Sequence, residues 1–422
     1  MASPKLAFPK HFLWGVSTSA HQVEGGQHNQ WTVWEYENAR TLATKAPFQY
    51  EDLDSWDLIK KAAKNPENYV SGKAANHYEL YEQDFDLARK LNLNAWRFSV
   101  EWSRLQPEGP DEWSNEAAAH YKHYVAQLKR RGLEPIVTLF HFTLPVWFAQ
   151  MGGFEKRSNV KYFLRFVDRI LDELGPSVKF VITINEPEVY ASESYYQGHW
   201  PPQAQSLKKT RTVLNNLAYA HNKASDIIHA KSRRFRVSIA KNSTFVYPGD
   251  DAWLSVRSAA IMQYIQDDYF LKKVVKRCDF IGINYYFSAR VYGYRQHNPN
   301  QQVSDIGWDM HPADIAHVVE RVYEKYKLPI MITENGLADA RDEQRQWWLT
   351  QTLLALSKMS AAKVPLVGYL HWSITDNFEW DKGFWPRFGL YEVDYSTGKR
   401  IPRRSAIWFA KVLKKIKEGG VS

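Results

Sequence analysis

Apolar residues along the chain recur in two registers. Eight short runs rich in β-branched residues, at 12–19, 95–102, 134–141, 179–187, 236–242, 279–286, 328–336 and 366–373, read as strands. Between them apolar residues return at helical spacing, as in Tyr81, Phe85, Ala88 and Leu91, or Phe163, Phe166, Ile170 and Leu174. Strand then helix, eight times over, predicts an α/β protein built as a (β/α)8 or TIM barrel. The Gly-rich first turn of a doubly wound open sheet is missing. No low-complexity tract, short repeat or Pro/Gly-rich linker divides the sequence, so residues 1–422 are expected to form a single barrel domain.

Barrels of this kind carry their chemistry at the C-terminal ends of the strands, and the polar residues of this sequence fall there. Arg97 lies in the second strand, His141 ends the third, Asn185 and Glu186 the fourth, Asn284 and Tyr286 the sixth, and Glu334 the seventh. Gln22 follows the first strand, and Trp372, Glu379 and Trp380 belong to the end of the eighth and the segment beyond it. Two carboxylates stand out, in Asn185-Glu186-Pro187 and Thr333-Glu334-Asn335-Gly336. Cleavage of a sugar acetal needs one carboxylic acid to protonate the departing oxygen and one ionised carboxylate facing the anomeric carbon. Arg97 and Tyr286 suit the task of holding Glu334 as an anion, and that charge raises the pKa of Glu186. Glu334 is therefore the expected nucleophile and Glu186 the expected acid/base. Taken singly, either glutamate has a second reading as a buried ion-pair partner.

Composition excludes more than it adds. Hydrophobic content of 44% and charged content of 24% are ordinary for a globular protein and rule out disordered or collagen-like classes. The single Cys278 permits no intrachain disulfide, and the first residues lack the apolar stretch of a secretion signal, so a cytoplasmic location is expected. No apolar run approaches the roughly 18–20 residues of a spanning helix. A net charge of +9 raises the question of nucleic acid, membrane surface or phosphorylated substrate. The densest basic run, from Arg400 to Lys417, reads as the solvent face of a terminal helix, and no nucleic-acid or phosphate motif accompanies it. Neither nucleic acid nor membrane is expected as a partner. Seventeen Trp suit stacking on sugar rings, although core packing accounts for most of them individually.

Six stretches together resemble glycoside hydrolase family 1. They are Phe12-Leu-Trp-Gly-Val-Ser-Thr-Ser-Ala-His-Gln22-Val-Glu24-Gly, Trp96-Arg97-Phe-Ser-Val-Glu-Trp-Ser-Arg104, Asn185-Glu186-Pro187, Asp279-Phe-Ile-Gly-Ile-Asn284-Tyr-Tyr286, Thr333-Glu334-Asn335-Gly336 and Trp372-Ser-Ile-Thr-Asp-Asn377-Phe378-Glu379-Trp380. The likeness runs from about Phe8 to Phe409. It implies a TIM-barrel, retaining β-glycosidase that acts on small β-glucosides or oligosaccharides, with β-galactosides and β-fucosides in range, and needs no metal or organic cofactor. It implies further that Glu186 is the acid/base and Glu334 the nucleophile, and that Arg97, Asn284 and Tyr286 position Glu334. Gln22, His141, Asn185, Trp372, Glu379 and Trp380 then surround the non-reducing sugar, and Trp308 faces the aglycone. A carboxylate at Glu379 disfavours a 6-phosphosugar.

Two departures from the family pattern bear on this reading. Thr143 stands where the family commonly has Asp. The span from Ser243 to Arg277 is short and lacks a familiar Trp-containing segment, so the barrel is expected to be shortened between strands five and six, with a more open aglycone side. Competing readings are a transglycosylating member of the same fold and a catalytically weak barrel that binds carbohydrate or an apolar ligand.

Overall fold

The computed structural model describes residues 6–297 and 302–418. Eight parallel strands form a closed barrel: β1 (Leu13–Ser17), β2 (Ala95–Ser99), β3 (Glu134–Thr138), β4 (Phe180–Asn185), β5 (Arg236–Asn242), β6 (Ile281–Asn284), β7 (Ile330–Asn335) and β8 (Leu366–Trp372). Each strand pairs with its neighbours in the chain, and β8 closes on β1 in the register Leu13↔Gly368 to Ser17↔Trp372. The expected strands are all present. The run at 95–102 stops early because the Glu101 side chain accepts from the Ser103 amide and caps a short helix, Trp102–Leu105.

The helices form where the apolar spacing places them. Val160–Leu174 buries Phe163, Phe166, Ile170 and Leu174 against the barrel, and Gly175, at φ 69°, ends it. Asn115–Arg130 starts at Ser114, whose hydroxyl accepts from the Ala117 amide at 3.1 Å. Between β5 and β6 the short span is built up rather than bare. It holds an outer strand, Phe245–Pro248, and helical turns running from Trp253 to Val274. The outer strand joins Ser288–Tyr292 and Arg295–Gln296 in a three-stranded sheet beside the barrel.

Side chains alternate along a strand, so residues two apart share a face. Inward positions near the strand starts are apolar: Ala95, Ile136, Phe180, Ile182, Phe280, Met331 and Leu370 pack into one cluster with Ala240. Two residues further along β2 and β3, the same face carries Arg97 and Thr138, both fully buried. The barrel thus changes from a packed apolar plug to a polar floor within one turn of alternation.

Candidate active site

A cleft of about 510 Å³ opens above that floor, and Gln22, His141, Glu186, Tyr286, Trp308, Glu334, Trp372, Glu379 and Trp380 line it. Arg97, Asn185 and Asn284 lie behind them, each fully buried. Every residue singled out from sequence is therefore at this one mouth, nine on its wall and three beneath.

Backbone irregularity delivers the two glutamates. The β4–β5 register shifts between Ile182 and Asn185, and the β6–β7 register shifts between Ile332 and Glu334. Such breaks re-aim the residue that follows. Strict alternation from Met331 and Thr333 would turn Glu334 away from the barrel interior; the shift returns it to the cleft. Glu186 sits one residue past β4 in left-handed backbone, φ 39° and ψ 61°, a conformation that costs a glutamate on the order of 1 kcal/mol. Beside Glu334, a Cβ at Gly336 would lie 1.8 Å from the Trp372 carbonyl oxygen, so only glycine lets β7 and β8 approach here.

The two carboxyl groups have unlike surroundings. Glu334 accepts from Arg97 Nη1 at 2.5 Å on Oε1 and from the Tyr286 hydroxyl at 2.8 Å on Oε2. Among the described residues Glu186 accepts only from a neutral donor, Asn284 Nδ2, at 2.8 Å. Burial pushes both above the ordinary carboxylate range. In Glu334 the guanidinium and the phenol oppose that push; in Glu186 the charge of Glu334 adds to it, and the group rises to about 8. Of the pair, Glu334 is the one that ionises first.

Arg97 is fixed on every side. It donates to Thr138 Oγ1 at 3.0 Å, Ser17 Oγ at 3.1 Å, the Thr333 carbonyl at 3.2 Å and Asn185 Oδ1 at 2.6 Å. Because Asn185 Oδ1 also accepts from Asn284, its Nδ2 faces His141 Nε2 as a donor at 3.1 Å. Burial drives His141 well below its usual pKa. The neutral ring then carries its proton on Nδ1, a buried donor with no partner among the described residues, on a side chain that lines the cleft.

Across the cleft, Glu379 Oε2 accepts from Gln22 Nε2 at 3.1 Å and from Asn377 Nδ2 at 2.8 Å, and burial raises its pKa to about 7. Trp380 stacks on His21 with ring centroids 5.4 Å apart, and Trp372 stays within 6.1 Å of the His141 ring. Trp308 is half-buried against Tyr286 and Phe287, 5.4 Å from each. Thr143 is not an orphan: it donates to Glu101 at 2.9 Å.

Several residues of the site escaped sequence reasoning. Ser17 and Thr138 hold Arg97 and Asn377 holds Glu379; Ser17 and Thr138 are polar residues at inward strand ends, and Asn377 lies in the loop beyond β8. Glu188 and the fully buried Lys241, 3.1 Å apart, sit beside Glu186 at the ends of β4 and β5. His199, Glu193, Asp381 and Lys382 form the cleft rim, on loops whose sequence gives no hint of proximity. Among the described residues no group of three His, Cys, Asp or Glu side chains could hold a metal ion, and no helix is long and apolar enough to cross a membrane.

A closed (β/α)8 barrel with two buried carboxyls in a hydroxyl-ready, Trp-walled cleft defines the class: enzymes that break glycosidic bonds. The chain belongs to glycosyl hydrolase family 1, whose model matches residues 5–284 and 271–418. It is similar to beta-glucosidase A of Thermotoga maritima, 28% identical with 96% of this chain and 98% of that protein aligned. It is 31% identical to a chloroplastic galactolipid galactosyltransferase of Arabidopsis thaliana over 79% of this chain and 57% of that one. Among solved structures, a beta-glycosidase from Pyrococcus horikoshii superposes with a TM-score of 0.84 at 33% identity, covering 97% of this chain and 95% of the other. The Thermotoga maritima beta-glucosidase bound to glucoimidazole superposes with a TM-score of 0.83 at 25% identity, covering 96% and 98%. The protein is thus a glycoside hydrolase of the β-glycosidase kind.

Proposed function

We propose that the protein is a retaining β-glycosidase that removes terminal non-reducing β-D-glucosyl residues, and β-galactosyl or β-fucosyl residues as well, with Glu334 as nucleophile and Glu186 as acid/base. The carrying observation is the asymmetry of the pair: a cation and a phenol donate to Glu334, and a lone amide to Glu186. Glu334 attacks the anomeric carbon and forms an ester bond to it. The glycosidic C–O bond breaks, and the proton of Glu186 goes to the leaving oxygen. Esterification removes the Glu334 charge, which lowers the pKa of Glu186 and turns it into a base. Glu186 then takes a proton from water, the water oxygen attacks the anomeric carbon, and Glu334 is released.

The remaining residues have matching tasks. Gln22, Asn185, His141 Nδ1 and Glu379 offer donors and acceptors to the sugar hydroxyls, and Trp372 and Trp380 offer aromatic faces to the ring. Arg97, Asn284 and Tyr286 set the charge and angle of the carboxylates. Trp308, in the cleft wall 5.4 Å from Tyr286, faces the aglycone. The Glu379 carboxylate supports a neutral sugar over a phosphorylated one.

The test is release of p-nitrophenol from β-glucoside, β-galactoside and β-fucoside, with the first product anomer followed by NMR. Retention gives β-product first, and Glu334→Ala is inactive until azide restores turnover as the α-glycosyl azide. First release of α-product, or an active Glu334→Ala, would overturn the assignment. A second reading has one observation in its favour, the similarity to a protein named as a galactosyltransferase. On that reading a sugar or alcohol resolves the glycosyl-enzyme faster than water does, and product analysis at high acceptor concentration separates the two.

A further inference from the structure

The helix Trp253–Gln263 and the turn after it lie on the surface, yet much of their outward side is apolar. Trp253, Val256 and Ile261 on the helix, with Tyr264 and Ile265 on the turn, are all exposed, Trp253 at 72% and Ile265 at 60%. Ser255 and Ala259 face inward. An ordinary surface helix reverses this arrangement. Tyr294, also 72% exposed, extends the patch: its loop is tied to the helix where the Gly293 amide donates to Ser255 Oγ at 2.8 Å. Among the described residues no other element covers these side chains.

Cations within and around the patch carry the second observation. Arg257 lies 5.8 Å from the Trp253 ring, Lys272 4.6 Å from Tyr264 and Arg295 5.6 Å from Tyr294. None of the three cations makes an ion pair among the described residues. Asp250 and Asp251 precede the helix start, which leaves the patch and its surroundings with a net positive charge. Aromatic rings paired with Arg and Lys around an aliphatic centre match a lipid interface: rings sit at headgroup depth, aliphatic tips reach the acyl boundary, and cations meet phosphate. A second copy of the chain is the poorer fit, since a two-fold contact sets each cationic rim against itself.

We propose that this patch docks the enzyme on an anionic lipid surface. The expectation of no membrane partner rests on the basic run at Arg400 to Lys417, which lies on a different helix. Docking here has a geometric consequence. The strands Phe245–Pro248 and Ser288–Tyr292 run side by side from the cleft wall, at Asn242 and Phe287, to the patch. At about 3.3 Å per residue they span roughly 15 Å, so the docked enzyme holds its cleft beside the lipid surface.

The experiment is co-sedimentation of the full chain with vesicles of phosphatidylcholine alone and of equimolar phosphatidylcholine and phosphatidylglycerol, at low ionic strength. The anionic vesicles are expected to bind at least tenfold more tightly. Trp253→Ser/Ile261→Ser/Ile265→Ser should weaken binding at least tenfold. Arg257→Gln/Lys272→Gln/Arg295→Gln should weaken it on the order of 100-fold, from about fivefold per cation. Both variants should keep wild-type thermal midpoints and wild-type hydrolysis of a soluble p-nitrophenyl glycoside. Wild-type protein that stays unbound, or an apolar variant that binds as tightly as wild type, overturns the proposal. So does a solution dimer that the apolar variant converts to monomer, which assigns the patch to a second copy. Sedimentation reads the surface whatever the glycosidase assay returns, so the two proposals fail separately.

Discussion

The two ends of the barrel are made from the same eight strands and behave as different materials. Toward the strand starts, Ile136, Phe180, Ile182 and Met331 fill the interior with aliphatic and aromatic volume. At the strand ends, Arg97, Asn185, Asn284 and Glu334 occupy the same inward side, buried to 4% exposure or less. The first end contributes stability by removing apolar surface from water. The second holds charges away from water, which costs stability and is useful only for what those charges do.

The sharpest way to break the comparison is to alter one atom set at each end. Glu334→Gln should lower kcat/KM on a p-nitrophenyl β-glycoside by at least ~10⁴-fold while circular dichroism and melting stay near wild type. Ile136→Ala should do the reverse. Denaturant unfolding should report a loss of about 2–5 kcal/mol, with kcat within a factor of two.

Removing the ionisable group at position 186 should be stabilising. The native-state pKa of Glu186, about 8, lies above the unfolded value. Such a carboxyl weakens the fold as pH rises through the ordinary carboxylate range, and the penalty is complete above about 8. Glu186→Gln should therefore raise unfolding free energy at pH 7 by on the order of 3 kcal/mol, with little change near pH 4. A melting curve of the variant that coincides with wild type at pH 7 would contradict this.

The smallest effect is in the pH profile. In the proposed mechanism the free enzyme needs Glu186 protonated, so kcat/KM should fall as pH rises past about 8. In Glu334→Gln the neighbouring charge is gone, and NMR titration of Glu186 should give a pKa at least ~1 unit lower. An unchanged value would mean that burial alone sets it.

Most of the fold was legible because strand and helix periods are local properties. The apolar faces of Tyr81 to Leu91 and Phe163 to Leu174 are written in consecutive residues, and the mouth is wherever those strands end. What the sequence did not reveal depends on distance in space. Ser17 and Thr138 hold Arg97 from two other strands, and nothing near either residue marks it as a partner. The register breaks before Glu186 and Glu334 are equally silent, since a bulge follows from how two strands pair. The short span after β5 read as missing cover because its family-like residues are missing. A strand and a helix stand there, with the helix apolar on its outward face.

Gly336 ties two motifs into one heritable unit. Its missing side chain leaves room for the Trp372 carbonyl, so the segment that carries Glu334 and the one that carries Trp372 cannot drift independently. Neither can be grafted alone onto another barrel: the donor loop would arrive shaped for a neighbour that is absent. A single methyl at position 336 would push the aromatic wall and the carboxylate apart, and both would go out of alignment in one step.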